Sequence, residues 1–83
     1  MFKISFKKSV AKDLKKISKG QVIKILDKIE TNLSTSPEQF PALKGKCAGL
    51  RKYRVGNFRI IFAILEGNTV LITRVKHRKE SYK

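Results

Sequence analysis

Residues 50–82 read LRKYRVGNFRIIFAILEGNTVLITRVKHRKESY, and this stretch decides the fold. It contains three runs of β-branched, aromatic and aliphatic residues, separated by turns that contain glycine. Such runs between turn signals are typical of β-strands. We predict strands at residues 50–55, 58–65 and 69–76. The loop between the first two is Gly56-Asn57, and a glycine in its first position indicates a type II′ hairpin turn.

The residues before this stretch predict one more strand and two helices. Residues 2–6 alternate apolar and polar side chains, which is the period of a strand with one buried face. Across residues 8–17, and again across 21–33, apolar side chains recur every three or four positions. This spacing indicates two amphipathic helices. Residues 18–20 predict a tight turn between them, so the helices should form an antiparallel hairpin.

The predicted element order is therefore β-α-α-β-β-β, an α+β fold. The helical hairpin should pack on one face of a small, mainly antiparallel four-stranded sheet, because neither helix can bury its apolar face alone. The connection at residues 34–49 holds both prolines, and Phe40 and Leu43 within it should pack under the core. A chain of 83 residues predicts one domain, spanning residues 1–83.

The composition predicts a polyanionic partner. Twenty lysines and arginines against six acidic residues give a net charge of +14, which favours nucleic acid or an acidic protein. The N-terminal MFKISFKKS has no apolar signal-peptide core, and no apolar run approaches the roughly 18 residues of a membrane span. With a single cysteine, this predicts a cytoplasmic protein without membrane contact. One Cys and one His offer no metal-ligand cluster, so we expect neither metal nor cofactor.

The alternation along residues 58–65 assigns the two faces of that strand. Phe58, Ile60, Phe62 and Ile64 share one face, and as the bulkiest residues they should lie under the helices. Arg59 then points to the opposite face, where we expect it to be exposed.

Basic side chains of the first hairpin should meet on that opposite face. Lys52 and Arg54 should share it with Arg59, and the hairpin should bring the two arginines close together. Like charges paired across a sheet are destabilising. A phosphate bound between the guanidinium groups would relieve the repulsion, since arginine matches phosphate with paired hydrogen bonds. Two alternatives stay open: a phosphate site, or two side chains that splay into water.

The segment KHRKESYK at 76–83 adds groups that RNA cleavage requires. Attack by a 2′-hydroxyl needs a base, an acid for the leaving 5′-oxygen and positive charge for the phosphorane. Arg78 joins the other arginines as a source of charge, while His77, Lys52 or Tyr82 could transfer protons. A lone histidine in a basic run is also common as a solvated residue.

These motifs resemble the RelE/ParE superfamily of bacterial and archaeal toxins. The resemblance covers nearly the whole chain and rests on LKG at 43–45, GLRKYRVGNFRIIF at 49–62 and VKHRKESY at 75–82. RelE-like members cut messenger RNA in the ribosomal A site without a metal. ParE-like members poison DNA gyrase. Members of both groups pair with an antitoxin that wraps the toxin.

The resemblance also implies which residues act. The positions that match the catalytic residues of RelE-like nucleases are Lys52, Arg54, Arg59, His77, Arg78 and Tyr82. The second position of the family's lysine pair is arginine here, at Arg54, and the spacer before Tyr82 is shorter. Tyr82 matches the tyrosine that stacks on the cleaved nucleotide.

We therefore expect a type II toxin of the RelE type, a metal-independent endoribonuclease (mRNA interferase) that inhibits translation. Its implied partners are an acidic antitoxin, messenger RNA and the ribosome with its 16S rRNA. A toxin–antitoxin heterotetramer is a candidate assembly. Two alternatives remain: a ParE-like inhibitor of DNA gyrase, and a catalytically degenerate basic module that binds nucleic acid or antitoxin.

Overall fold

The computed structural model describes residues 1–41 and 49–77. The predicted order and the α+β class are confirmed. The elements are β1 (Lys3–Phe6), α1 (Lys8–Lys15), α2 (Lys19–Leu33), one 3₁₀ turn (Pro37–Gln39), β2 (Arg51–Val55), β3 (Phe58–Leu65) and β4 (Thr69–His77). The motif at 43–45, with Leu43, and the predicted site residues Arg78 and Tyr82 lie outside the described residues.

The turn between the helices lies two residues earlier in the chain than the sequence predicts. Helix α1 ends at Lys15 rather than near Ile17, and α2 already begins at Lys19. Ser18 is extended (φ −61°, ψ 147°) and is the residue that precedes α2. Gly20 therefore belongs to the first turn of α2, whereas the sequence predicts it at the end of the connecting turn.

The strands form one mixed sheet in the order β1-β4-β3-β2. β2, β3 and β4 make an antiparallel meander, whereas β1 pairs with β4 in parallel. A parallel pair requires a crossover, which the helical hairpin and the meander supply between them. At the first hairpin Gly56 has φ +57° and Asn57 has no positive φ, as a type II′ turn requires.

The core lies between the helices and one face of the sheet. Phe58, Ile60 and Phe62 are buried there, which confirms the face predicted for β3. Phe40 packs against the same core, with its ring centroid 4.7 Å from that of Tyr53 and 6.2 Å from that of Phe62. The buried apolar residues are Val10, Ile25, Ile29, Leu33, Val55, Phe58, Ile60, Phe62, Val70, Ile72 and Val75.

A β-bulge interrupts the pairing of β3 with β4. Ile61 pairs with Arg74 while the next residue, Phe62, pairs with Ile72, so Thr73 is an extra residue in β4. The Thr73 hydroxyl donates a hydrogen bond of 3.0 Å to the Ile61 carbonyl oxygen, which closes the bulge. Such an insertion shifts the alternation of every later side chain in the strand.

The bulge decides which residues at the end of β4 face the helices. Ile72 before it and Val75 after it are both buried, although they are three positions apart. Uninterrupted alternation from Ile72 would have turned Lys76 toward the helices and His77 away from them. The extra residue reverses both directions.

Helix α1 covers the part of the β4 edge that β1 does not reach. The pairing of β1 stops at Ile72. Beyond it, the Ser9 hydroxyl donates to the Thr73 carbonyl oxygen at 2.7 Å, and the Val75 N–H donates to Asp13 Oδ2 at 3.0 Å. These bonds satisfy backbone groups that an open edge would leave without a protein partner.

Asp13 also binds Arg74, and the resulting cluster is charged. Arg74 donates from Nε and Nη2 to the two carboxylate oxygens, at 2.9 and 2.8 Å. Burial of the Asp13 carboxyl group acts to raise its pKa. The hydrogen bonds from Arg74 and the Val75 N–H, with the charges of Arg74 and Lys76, outweigh burial and hold the pKa below its ordinary value.

The lowered pKa of Asp13 predicts a loss of stability in acid. The unfolded carboxyl group titrates near pH 3.9, so the stability that Asp13 contributes is present above that pH and is lost as pH falls through the lower folded pKa. We expect the free energy of unfolding to fall more steeply with acid for the parent than for Asp13→Asn. Urea titrations from about pH 6 to 2 measure this, with the exposed Asp27→Asn as the control. If the free energy of unfolding of the parent and of Asp13→Asn changed with pH in parallel, the lowered pKa of Asp13 in the folded protein would be contradicted.

Candidate functional site

The sheet face turned away from the helices carries a cluster of cations, and we call it the distal face. It includes Lys52 and Arg54 from β2 and Arg59 from β3. Arg54 stands directly opposite Arg59 in the β2–β3 register, as the sequence predicts. The three basic side chains line one cavity of about 390 Å³ with Phe40, Pro41 and Tyr53.

Arg59 is buried, and the prediction that it would be exposed is wrong. Only 7% of the residue is accessible. The reason is its position on an inner strand, where Arg54 stands opposite it on β2 and Lys76 opposite it on β4. An inner strand has a neighbouring strand on each side, which leaves less room for water than an edge strand has. A side chain already confined in this way loses less rotamer freedom when it binds a ligand.

Phe40 and Pro41, which precede β2 in the chain, form one wall of the cavity. Arg51 donates from Nη1 to the carbonyl oxygens of Glu38 and Phe40, at 3.1 and 2.7 Å. The Lys52 N–H donates to the Pro41 carbonyl oxygen at 3.1 Å. These bonds hold Phe40 and Pro41 beside β2. Arg51 therefore positions residues that line the cavity without lining it itself.

Tyr53 lines the same cavity and is itself anchored. The Asn32 side-chain amide of α2 donates to the Tyr53 hydroxyl oxygen at 2.6 Å. Phe40 lies against the Tyr53 ring, so two aromatic residues stand beside three cations. Cations bind phosphate and aromatic rings stack on bases, so this combination suits a single-stranded nucleic acid.

The structure does not bring His77 together with these residues. Its ring meets Phe58 edge-on, with centroids 5.3 Å apart and planes at 89°. Phe58 belongs to the core, so the imidazole lies on the helix side of the sheet. There it lines a second cavity of about 280 Å³ with residues that include Asp13, Ser18 and Gln21. The bulge at Thr73 is the physical reason for this placement.

The sequence reasoning missed Lys76. In the β3–β4 register Lys76 stands directly opposite Arg59, on the distal face. A signal for it does exist in the sequence. The apolar positions Val70 and Ile72 are two apart, but Val75 follows after three, and such a break in alternation indicates a bulge.

Electrostatically, the cavity is suited to an anion. Among its lining residues the charged groups are Lys52, Arg54 and Arg59, all cationic. Across residues 1–41 and 49–77, no three His, Cys, Asp or Glu side chains are grouped closely enough to hold a metal ion. In the same part of the chain, no helix has the length and apolar character needed to cross a membrane.

The sequence matches one family model over residues 4–82, that of the ParE toxin of the type II toxin–antitoxin system, parDE. No curated protein sequence matches the chain significantly.

Several solved structures share the fold. The RelBE2 toxin–antitoxin complex of Mycobacterium tuberculosis has a TM-score of 0.80 and 26% identity, covering 93% of this chain and 98% of that one. The RelB–RelE antitoxin–toxin complex of Methanococcus jannaschii has a TM-score of 0.62 and 30% identity, covering 94% of each chain. The isolated RelE toxin of E. coli has a TM-score of 0.71 and 18% identity, covering 93% and 84%.

Proposed function

We propose a nuclease function from one premise: the chain belongs to the ParE toxin family, within the RelE/ParE superfamily of type II toxin–antitoxin systems. The proposed activity is metal-independent endonucleolytic cleavage of messenger RNA in the ribosomal A site, which stops translation. The observation that carries this proposal is the cavity in which Lys52, Arg54 and Arg59 stand beside two aromatic residues. The similarity to RelE structures supports it.

The proposed reaction is attack of a ribose 2′-oxygen on the adjacent phosphorus. The 2′-hydroxyl loses its proton to a base, the bond from phosphorus to the 5′-oxygen breaks, and an acid gives that oxygen a proton. The products are a 2′,3′-cyclic phosphate and a free 5′-hydroxyl. Positive charge is needed most at the phosphorane, where two negative charges gather.

In this proposal Arg54 and Arg59 bind that phosphorane. Their register across the hairpin lets both guanidinium groups address one phosphate. The Lys52 ammonium group, on the same side of β2, can protonate the leaving oxygen. Stacking of a base on Phe40 or Tyr53 would orient the nucleotide. Arg78 and Tyr82 keep the roles predicted from the resemblance, while the position of His77 favours no direct part in the reaction.

A second candidate function is inhibition of DNA gyrase. The description of the matching family model as ParE toxin, over residues 4–82, favours it. In that function the cations of the distal face would bind gyrase or its DNA, without cleavage by this chain.

One expression experiment separates the two. RNA from cells that express the toxin is mapped for new 5′-hydroxyl ends, and DNA from the same cells is assayed for gyrase-linked breaks. We expect in-frame clusters of RNA ends, which depend on translation of the message, and no breaks. DNA breaks without new RNA ends would replace the nuclease proposal with gyrase inhibition. Growth arrest with neither new RNA ends nor DNA breaks would also refute the nuclease proposal.

The proposed protein partner is an acidic antitoxin, and an apolar groove offers it a place. The groove holds about 460 Å³ between edge strand β1 and α2, and Phe2, Ile4, Phe6, Leu26 and Ile29 supply its apolar lining. Phe6 is 46% exposed. The M. tuberculosis and M. jannaschii structures are complexes with antitoxins. A partner with an apolar strip and acidic flanks would match this groove and the net charge of +14.

Salt should change the association rate of the antitoxin and leave its dissociation nearly unchanged. Charge steers encounters over distances that salt screens, while apolar contacts hold the complex afterwards. Raising salt from about 0.1 to 0.5 M should slow association roughly 10-fold or more. Stopped-flow mixing measures both rates. As a matched variant, Phe6→Ser should speed dissociation and leave association close to the parent. An association rate indifferent to salt would show that the antitoxin does not recognise the basic surface.

A further inference from the structure

Three cations stand in one row across the sheet. Arg54 on β2 is opposite Arg59 on β3, and Arg59 is opposite Lys76 on β4. Adjacent strands are about 4.8 Å apart, so the row spans roughly 10 Å at the backbone. Side by side, such like charges repel each other, and a chain of negative charges along the row would relieve the repulsion. The third cation lies outside the cavity lined by the first two, so a ligand that reaches it must extend beyond that cavity.

Lys76 is weakly held by its counter-ion. Its Nζ lies 4.0 Å from Asp13 Oδ1, whereas Arg74 bonds that oxygen at 2.8 Å. The other carboxylate oxygen accepts from Arg74 and from the Val75 N–H. Asp13 therefore holds the ammonium group by charge, at a distance too long for a hydrogen bond. If the ammonium group leaves, Asp13 keeps its two hydrogen bonds from Arg74 and the one from the Val75 N–H, so exchanging the long ion pair for a phosphate leaves the buried carboxylate paired.

The ammonium group has the access that such a contact needs. The Lys76 side chain is 28% exposed. Within residues 1–41 and 49–77 the structure records no hydrogen bond from its Nζ, which carries three donors. A flexible lysine at the end of the row can follow a phosphate whose position varies, whereas Arg59 is confined.

We propose that Lys76 binds the RNA phosphate next to the one held by Arg54 and Arg59, which extends the substrate site across β4. This rests on the proposed function, since it assumes an RNA substrate. The bulge at Thr73 is what makes the contact available, because it turns Lys76 to the distal face. The repeated charge of the row favours a linear polyanion over the scattered carboxylates of a protein.

Salt-dependent binding of a non-cleavable RNA tests the proposal. The probe is a labelled single-stranded RNA with 2′-O-methyl groups, measured by fluorescence anisotropy over a series of salt concentrations. Each phosphate contact to single-stranded nucleic acid contributes about 0.7 to the slope of log K against log salt. We expect Lys76→Ala to lower the slope by about that amount and Lys76→Arg to restore it.

Lys3→Ala is the matched control. Lys3 is exposed and pairs with Thr69, on the same face but away from the row, so its loss removes an equal charge. Equal slopes for Lys76→Ala and Lys3→Ala would mean that Lys76 contributes only to the net positive charge and makes no phosphate contact, which would overturn the proposal. An unchanged slope for Lys76→Ala together with slower antitoxin association would also overturn the proposal. In that case Lys76 would bind the antitoxin rather than RNA.

The result is separable from the nuclease proposal. If the parent protein cleaves messenger RNA but Lys76→Ala cleaves equally well and keeps its salt slope, only the role of Lys76 fails. If the parent gives no RNA ends, the nuclease function fails by itself, while the anisotropy series still decides whether Lys76 contacts a phosphate.

Discussion

Replacing Arg59 by glutamine should reduce messenger RNA cleavage on the order of 100-fold or more, because the phosphorane loses a fixed positive charge. Glutamine is preferred to alanine here because Arg59 is buried, and truncation would also open a cavity beside Arg54. Primer-extension mapping of a reporter message measures the effect. Circular dichroism and a melting curve near those of the parent would show that the fold survives.

The matched control is again Lys3→Ala, which removes one positive charge from the distal face at β1. Its cleavage should stay within a few-fold of the parent. A folded Arg59→Gln protein with undiminished cleavage would remove the phosphate site from the proposed mechanism.

The same assay decides the part played by His77. The resemblance assigns it a catalytic position, whereas the structure places its ring against Phe58 on the helix side. If the placement governs function, His77→Gln should cleave within a few-fold of the parent. A loss as large as that of Arg59→Gln would restore the role that the resemblance implies.

Replacing Phe62 by alanine should cost about 3–5 kcal/mol of the free energy of unfolding, by lost burial and the cavity left behind. Phe62 is 0% exposed and meets the Phe40 ring edge-on. Small domains are stable by about 5–15 kcal/mol, so the variant could be largely unfolded. Urea denaturation followed by circular dichroism measures the loss.

Two control variants test whether the loss of stability in Phe62→Ala comes from lost burial. Phe62→Leu should lose much less, because most of the buried volume is kept. Leu65→Ala changes an exposed side chain at the end of the same strand and should stay within about 0.5 kcal/mol. A Phe62→Ala protein as stable as Leu65→Ala would mean that β3 turns its other face to the helices.

The sequence by itself determined the elements and the faces of the central hairpin. The bounds of β3 agree with the prediction, and Phe58, Ile60 and Phe62 are buried as alternation indicates. The opposition of Arg54 and Arg59 followed from the two-residue turn, because a turn of known length sets the register on both sides of it. These are local properties, in which each residue is constrained by neighbours along the same strand or hairpin.

Only the tertiary structure decided what stands beside Arg59. Its burial depends on β4 as much as on β2, and β4 offers Lys76 rather than His77 because one extra residue, Thr73, reverses the alternation. That bulge is closed by Thr73 itself and covered by Ser9 and Asp13, about 60 residues earlier in the chain. Side chains alternate between the two faces of a strand only while each residue pairs with one residue of the neighbouring strand. The spacing of Val70, Ile72 and Val75 signals that the alternation breaks, but the contacts that hold the extra residue come from β3 and α1, which no local pattern in β4 specifies.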